Sequence, residues 1–331
     1  MIVDHIDKPP KRELTARHSA TIDFVGPHYR PNPLESHYMD GAIVIDKPEG
    51  WTSHDVVGKF RRVARAKKVG HLGTLDPIAT GVLPLVLGRA TRLAQFYTRT
   101  DKVYEGVVRF GWATDTYDRA GEPVGEKVAV TLKAEEVERL LDRFRGRLLQ
   151  VPPPVSAKKV QGKRAYDLAR QKQQVVLEPV AVEVYELTVV EVTGADARLR
   201  AHCSGGTYLR SIAHELGQAL GFGAHLHELR RTASGEFTLA QARTIAQIES
   251  LAAEERLIDA LIPASSLLPQ MPEIYVDEVA AHHIRHGRNF PASPFRTAPA
   301  ARYVKAITAA RELIAIGEAV LPNIYHPVVV L

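Results

Sequence analysis

Cysteine is almost absent: Cys203 is the only one in 331 residues. A single thiol excludes an internal disulfide framework and a thiolate zinc cluster, and points to a reducing, cytoplasmic setting. Long apolar runs are also missing. The longest apolar stretches, such as Ile43–Ile45 and Val82–Leu87, fall far short of a membrane span. The chain opens with Asp4, Asp7 and Lys8 and no apolar segment behind them, so no secretory signal is expected. Charged residues make up 24% and hydrophobic ones 45%, which excludes wholesale disorder and leaves ample material for a core.

Residues 1–37 hold five prolines (Pro9, Pro10, Pro27, Pro31 and Pro33), mixed charge and little apolar periodicity. They read as a poorly ordered extension. Ala42–Asp46 reads as a buried strand and Lys47–Gly50 as a turn. A helix follows to about Ala66, capped by Thr52 or Ser53, with Val56, Val57, Phe60 and Val63 as its apolar stripe. Val82–Leu87 and Lys102–Gly111 read as strands, and Ala90–Tyr97 as helix. From Thr131, the spacing of Val137, Leu140, Leu141 and Phe144 predicts an amphipathic helix ending at Gly146. Strands are predicted at Val180–Val192 and Arg198–Ser204, and a helix from Tyr208 to Leu220 that stops at Gly221. Leu267–Pro272, with two prolines, reads as a linker to a small β-rich tail over 270–331. Strands and helices do not alternate regularly, so the fold class is α+β, with a mixed sheet flanked by helices.

Carboxylates are scarce in one window. Between Asp55 and Asp101 the only acid is Asp76, against Lys59, Arg61, Arg62, Arg65, Lys67, Lys68, Arg89, Arg92 and Arg99. Such a field favours the ionised carboxylate and gathers phosphates. A basic helix face that is merely solvated accounts for the same run. The loop Gly70–Gly81 sets three glycines and Pro77 around Asp76, with His71 five residues upstream. Glycine permits close backbone approach and Pro77 restricts the residue before it. That stiffness suits a positioned nucleophile or base; it equally suits a structural Asp-Pro turn. Gly205-Gly206-Thr207 opens the later helix as an anion-binding N-terminus. His225 and His227, near His214-Glu215, lack a third ligand at convincing spacing, so no metal is expected.

The loop resembles the catalytic motif of the TruB family, tRNA pseudouridine synthases that act on uridine 55 of the TΨC arm. Four further blocks match that family in order: Asp46–Ser53; Lys102-Val-Tyr104 with Gly111 and Thr114–Asp118; Pro152–Lys158 with Gly162-Lys163; and Cys203–Arg210 with Gly223–His225 and Leu229–Thr232. The resemblance implies a pseudouridine synthase fold over 38–266, an RNA-clamping insertion at about 150–175 and a PUA-like RNA-binding domain over 270–331. It implies Asp76 as the essential aspartate, Tyr104 as the base-stacking tyrosine and Arg210 as the partner of Asp76. His71 would enter the tRNA loop, and Tyr208 and Leu229 would contact substrate; the basic run, separately, would set Lys67 and Lys68 on its phosphates. A bidentate Arg210–Asp76 pair is expected, with Asp118 a supporting group or an Asx-turn residue. Val155 stands where the family usually has tyrosine. The reaction moves no electrons and needs no group donor, so no cofactor is expected, and the substrate is tRNA, with no membrane and no obligatory protein partner for a monomer. A guide-RNA-dependent relative and a tRNA-folding factor are the other readings.

Overall fold

The computed structural model describes residues 39–155, 159–160, 163–164, 177–292 and 301–331. The expectations for residues 1–37 and for most of the clamping insertion fall outside the described residues. Ten strands form the main sheet: β1 (Gly41–Lys47), β2 (Val69–His71), β3 (Ala79–Leu87), β4 (Lys102–Phe110), β5 (Gly146–Gln150), β6 (Val180–Thr193), β7 (Asp196–Cys203), β8 (Ala224–Ser234), β9 (Phe237–Thr238) and β10 (Ile262–Pro263). Their order is β10-β1-β3-β8-β4-β7-β6-β5, with β2 on β3 and β9 on β8. Only the short β3–β8 pairing, Ala79–Gly81 against Leu229–Arg231, is parallel. The sheet is therefore mixed and largely antiparallel, and the fold is α+β as its irregular alternation predicts.

The apolar run of β1 is continuous because both faces of this half of the sheet are covered. Ile43 and Ile45 enter one core with Leu83, Leu85, Val56 and Phe60 of helix α1 (Ser53–Val63). Ala42 and Val44 enter a second core on the other face, with Val82, Val86 and Leu93. Ile307, Leu313, Ile316 and Val329 of the C-terminal part belong to that second core. They lie on or beside the strands of a five-stranded sheet built from β11 (Glu273–Tyr275), β12 (Phe290–Pro291), β13 (Tyr303–Ile307), β14 (Leu313–Leu321) and β15 (Ile324–Val330).

Three predicted elements differ. Leu267–Pro272 is not a free linker: Leu267 and Leu268 are wholly buried in the second core. Each such leucine contributes about 1.5–3 kcal/mol of burial, which outweighs the breaking tendency of the prolines around them. Helix α1 stops at Val63, with Arg65 left-handed at φ +49°, so Lys67 and Lys68 lie in the turn leading to β2 and not on the helix. Gly88–Tyr97 is a 3-10 segment and not an α-helix. The other predicted helices are α2 (Ala134–Leu141) and α3 (Leu209–Leu220), the latter closed by Gly221 at φ +79°.

Candidate active site

Asp76 sits between β2 and β3 on a loop that three buried side chains hold. Lys47, at the end of β1, donates from Nζ to the carbonyls of Pro48 (2.8 Å), Trp51 (2.5 Å) and Pro77 (3.3 Å). Ser53, in the first turn of α1, accepts the Leu75 N–H at 2.9 Å and lies 3.2 Å from the Leu75 carbonyl, to which it donates. Arg231, on β8, donates to the carbonyls of Val82 (2.7 Å) and Gly73 (3.1 Å). Gly81 allows this closeness: its φ is +97°, and a Cβ there would fall 2.2 Å from the Arg231 carbonyl oxygen. The loop carbonyls thereby satisfy cations that burial would otherwise penalise.

Arg210, in the first turn of α3, reaches Asp76 from the other side. Its Nε lies 2.9 Å from Asp76 Oδ2; Arg210 is 4% exposed and Asp76 34%. Its Nη1 donates to the Thr116 carbonyl at 3.1 Å and lies 3.5 Å from Asp118 Oδ2. The pair is therefore not the expected bidentate fork, because Asp118 competes for the outer nitrogen. Asp118 Oδ1 accepts from Thr116 Oγ1 (2.8 Å) and the Ala120 N–H (3.0 Å). Both readings of Asp118 hold: one oxygen closes an Asx-type turn and the other faces Arg210.

A pocket of about 210 Å³ opens at this pair. Tyr104, on β4 between Ala201 and Arg231, forms its wall with Leu229, and Tyr208 and Leu209 line the rim. The Tyr208 backbone is gripped at both ends by the Gln150 amide, at 2.7 Å to its N–H and 3.1 Å to its carbonyl. The structure thus brings together Asp76, Tyr104, Arg210, Tyr208 and Leu229. His71, Lys67 and Lys68 do not line the pocket. His71 packs edge-on against His54 with ring centroids 5.5 Å apart, and both lysines are exposed.

The electrostatics depart from expectation. Burial, with the Asp118 charge beside it, pushes the Asp76 carboxyl above its usual range against the pull of Arg210 and Lys47. None of the nine cations in the Asp55–Asp101 window lines the pocket, and the charges that act most on Asp76 are Arg210, Asp118 and Lys47. Burial raises Tyr104 as well, keeping its phenol neutral, and lowers Lys47 and Lys102 to about 8. Sequence reasoning missed Lys47, Ser53, Arg231 and Lys102. All four lie inside the matching blocks, but no pattern distinguishes a buried lysine from a solvated one. Among the described residues no three His, Cys, Asp or Glu are grouped to hold a metal. His225 instead makes a 3.2 Å contact with the Trp112 carbonyl.

The chain matches the TruB family pseudouridylate synthase N-terminal domain over residues 61–209 and the tRNA pseudouridylate synthase B C-terminal domain over 210–269. It is 70% identical over 293 residues to the tRNA pseudouridine synthase B of Solibacter usitatus (strain Ellin6076), spanning 88% of this chain and 100% of that one. It is 42% identical over 268 residues to the protein of the same name from Stutzerimonas stutzeri (strain A1501), spanning 80% and 86%. Among solved structures, a chain of a Cbf5–Nop10–Gar1 complex aligns with a TM-score of 0.67 and 29% identity over 88% of this chain and 82% of that one. Fold and relatives together define a pseudouridine synthase, an isomerase. Within that class, the chain belongs to the TruB family.

His71 yields a test that does not depend on any reaction. Burial lowers it from 6.5 to about 4, with His54 and Arg231 adding to the effect. Between those values the unfolded chain binds the proton and the folded one does not. The stability that His71 contributes is present above about 6.5 and is lost as pH falls through about 4. A His71→Asn variant should lose less stability than the parent between pH 7 and pH 5, by about 1 kcal/mol after discounting for partial exposure. Urea midpoints at the two pH values check this; parallel losses in both proteins refute it.

Proposed function

We propose that this protein converts uridine 55 in the T-arm of tRNA to pseudouridine, with Asp76 as the catalytic carboxylate. The observation that carries the reading is the Asp76–Arg210 contact at 2.9 Å, opening onto a pocket walled by Tyr104. A uridine within a folded loop must be extruded before its C1′ or C6 can be reached. The extruded base then needs an aromatic face, worth about 1–3 kcal/mol per base, and Tyr104 offers one beside Leu229 in the pocket wall. Arg210 holds the carboxylate at the nucleoside while the C1′–N1 bond breaks and a C1′–C5 bond forms. C5 loses its proton and N1 gains one, so the reaction balances without a cofactor. Tyr208 contacts the substrate at the rim, His71 enters the tRNA loop, and Lys67 and Lys68 meet phosphates.

The enzyme acts in the cytoplasm as a monomer without an obligatory protein partner. Residues 38–266 form its catalytic domain, and 270–331 a PUA-like RNA-binding domain on the back of the sheet. The tRNA reading is favoured over a guide-RNA-dependent one by identity. Proteins named tRNA pseudouridine synthase B share 40–70% with this chain, whereas the aligned chains of Cbf5-containing assemblies share 27–29%. A tRNA-folding role can coexist with catalysis, since it would draw on the same contacts.

Tritium release from tRNA transcripts labelled at uridine C5, with purified protein alone, tests the activity. Asp76→Asn should abolish release while leaving tRNA affinity within about a factor of ten, since binding is spread over many contacts. An active Asp76→Asn protein refutes the assignment. Arg210→Lys keeps the charge but cannot serve Asp76, Asp118 and the Thr116 carbonyl together. Its single-turnover rate should fall about a hundredfold at near-normal affinity, as for a reacting group misplaced by roughly 1 Å. A phosphate-contact role for Arg210 predicts weaker binding and an unchanged chemical step. Replacing Lys67 and Lys68 with Ala should flatten the salt slope of binding by up to about two units. An unchanged slope returns both lysines to a solvated surface.

A further inference from the structure

Tyr117 holds a backbone conformation that its surroundings must impose. Its φ is +64°, the left-handed region in which a Cβ crowds the following carbonyl. Its ring lies flat on that of His214, with centroids 3.7 Å apart and planes 11° from parallel. Both rings are half-buried, and neither lines the pocket. On either side of Tyr117 in the chain are the two groups that hold the outer nitrogen of Arg210: the Thr116 carbonyl and the Asp118 carboxylate. His214 is four residues after Arg210 on α3, one turn along the same face. The stack therefore ties the 114–118 loop to α3 directly beside the arginine.

The backbone here is also fixed within its own turn, where the Tyr117 N–H donates to the Thr114 carbonyl at 3.3 Å and the Asp115 N–H to the Glu122 carbonyl at 3.1 Å, and to β8. The Leu226 N–H donates to the Tyr117 carbonyl at 2.9 Å and the Arg119 N–H to the Leu226 carbonyl at 3.0 Å. Burial lowers His214 below the usual histidine range, so the stacked ring is uncharged at neutral pH.

We propose that the Tyr117–His214 stack is a positioning device for pseudouridine formation. It sets the separation between the 114–118 loop and α3, and so holds Arg210, and through it Asp76, aimed into the pocket. Without the stack the remaining backbone bonds alone oppose the left-handed strain, and the loop shifts toward right-handed φ, moving both partners of Arg210 Nη1. The guanidinium then turns, and the carboxylate turns with it. Tyr117 and His214 are positioning residues, and this inference rests on Asp76 as the reacting carboxylate.

Tyr117→Gly is the sharpest test, since glycine removes the ring and leaves the backbone at this position free to leave the left-handed region. It should keep the parent's unfolding midpoint and bind tRNA within about threefold, yet react roughly tenfold or more slowly in single turnover. Tyr117→Phe, which keeps the stack, should restore the rate. His214→Ala, a change that helices favour, should slow the reaction similarly and serves even where Tyr117→Gly fails to fold. The double variant should be no slower than the worse single one, because the two changes break the same contact. A normal rate in either single variant, or additive losses in the pair, overturns the inference. Asp76→Asn assayed alongside separates the two readings. If Asp76→Asn is active, the reading of Asp76 fails; if it is inactive while Tyr117→Gly is normal, only the positioning device fails.

Discussion

One buried cation organises this site. Arg210 is 4% exposed and has two carboxylates in reach, Asp76 at 2.9 Å and Asp118 at 3.5 Å. A guanidinium withdrawn from water is tolerable only when its donors are met, and it cannot shed its charge as a lysine can. The two acids offset its charge, each from a different element, and the Thr116 carbonyl accepts from its Nη1. Asp76 comes from the loop after β2, Asp118 from the turn after β4, and Arg210 from α3. The site is therefore assembled only when three distant parts of the chain have folded, and the sheet exists at that point to bring them together.

Lys47 and Arg231 extend the same logic to the loop itself. Each is fully buried, and each spends its hydrogen bonds on carbonyls around Asp76 and not on a carboxylate. Backbone carbonyls satisfy a cation without adding a second acid, so Asp118 remains the competing acid for Arg210. The Asp76 carboxyl sits above its ordinary range despite two cations that act on it. Arg210 and Lys47 pull the carboxyl down, but burial, with the Asp118 charge added, outweighs them.

Much of this was legible in the sequence. Tyr104 lies on a strand and Arg210 on a helix that local periodicity predicts, whereas the strand carrying Leu229 is not predicted and that residue is named only through the resemblance. The α+β class followed from irregular alternation alone. Other features were not legible because they depend on distant partners. Leu267 and Leu268 read as linker since two prolines accompany them, but the apolar seam they fill exists only once β1, β3 and the C-terminal sheet meet. The bidentate Arg210–Asp76 pair failed for a similar reason. Asp118 is expected as a supporting group or a turn residue, but nothing near it in sequence shows that its carboxylate faces Nη1 and so leaves Asp76 only Nε.

The cations of this protein consequently form two populations with different physics. Lys67 and Lys68 stand in water, where salt screens them and a phosphate could displace their hydration at little cost. Lys47, Lys102, Arg210 and Arg231 are desolvated and already committed to carbonyls or carboxylates. A nucleic acid approaching the pocket meets the first population as a field and the second only as geometry. Charge density along the chain reports the first population well, which is why the basic window drew notice while none of its nine cations reached the pocket. The pocket and its loop are held by the second population, whose members are scattered through the sequence at 47, 102, 210 and 231 and are united only by burial.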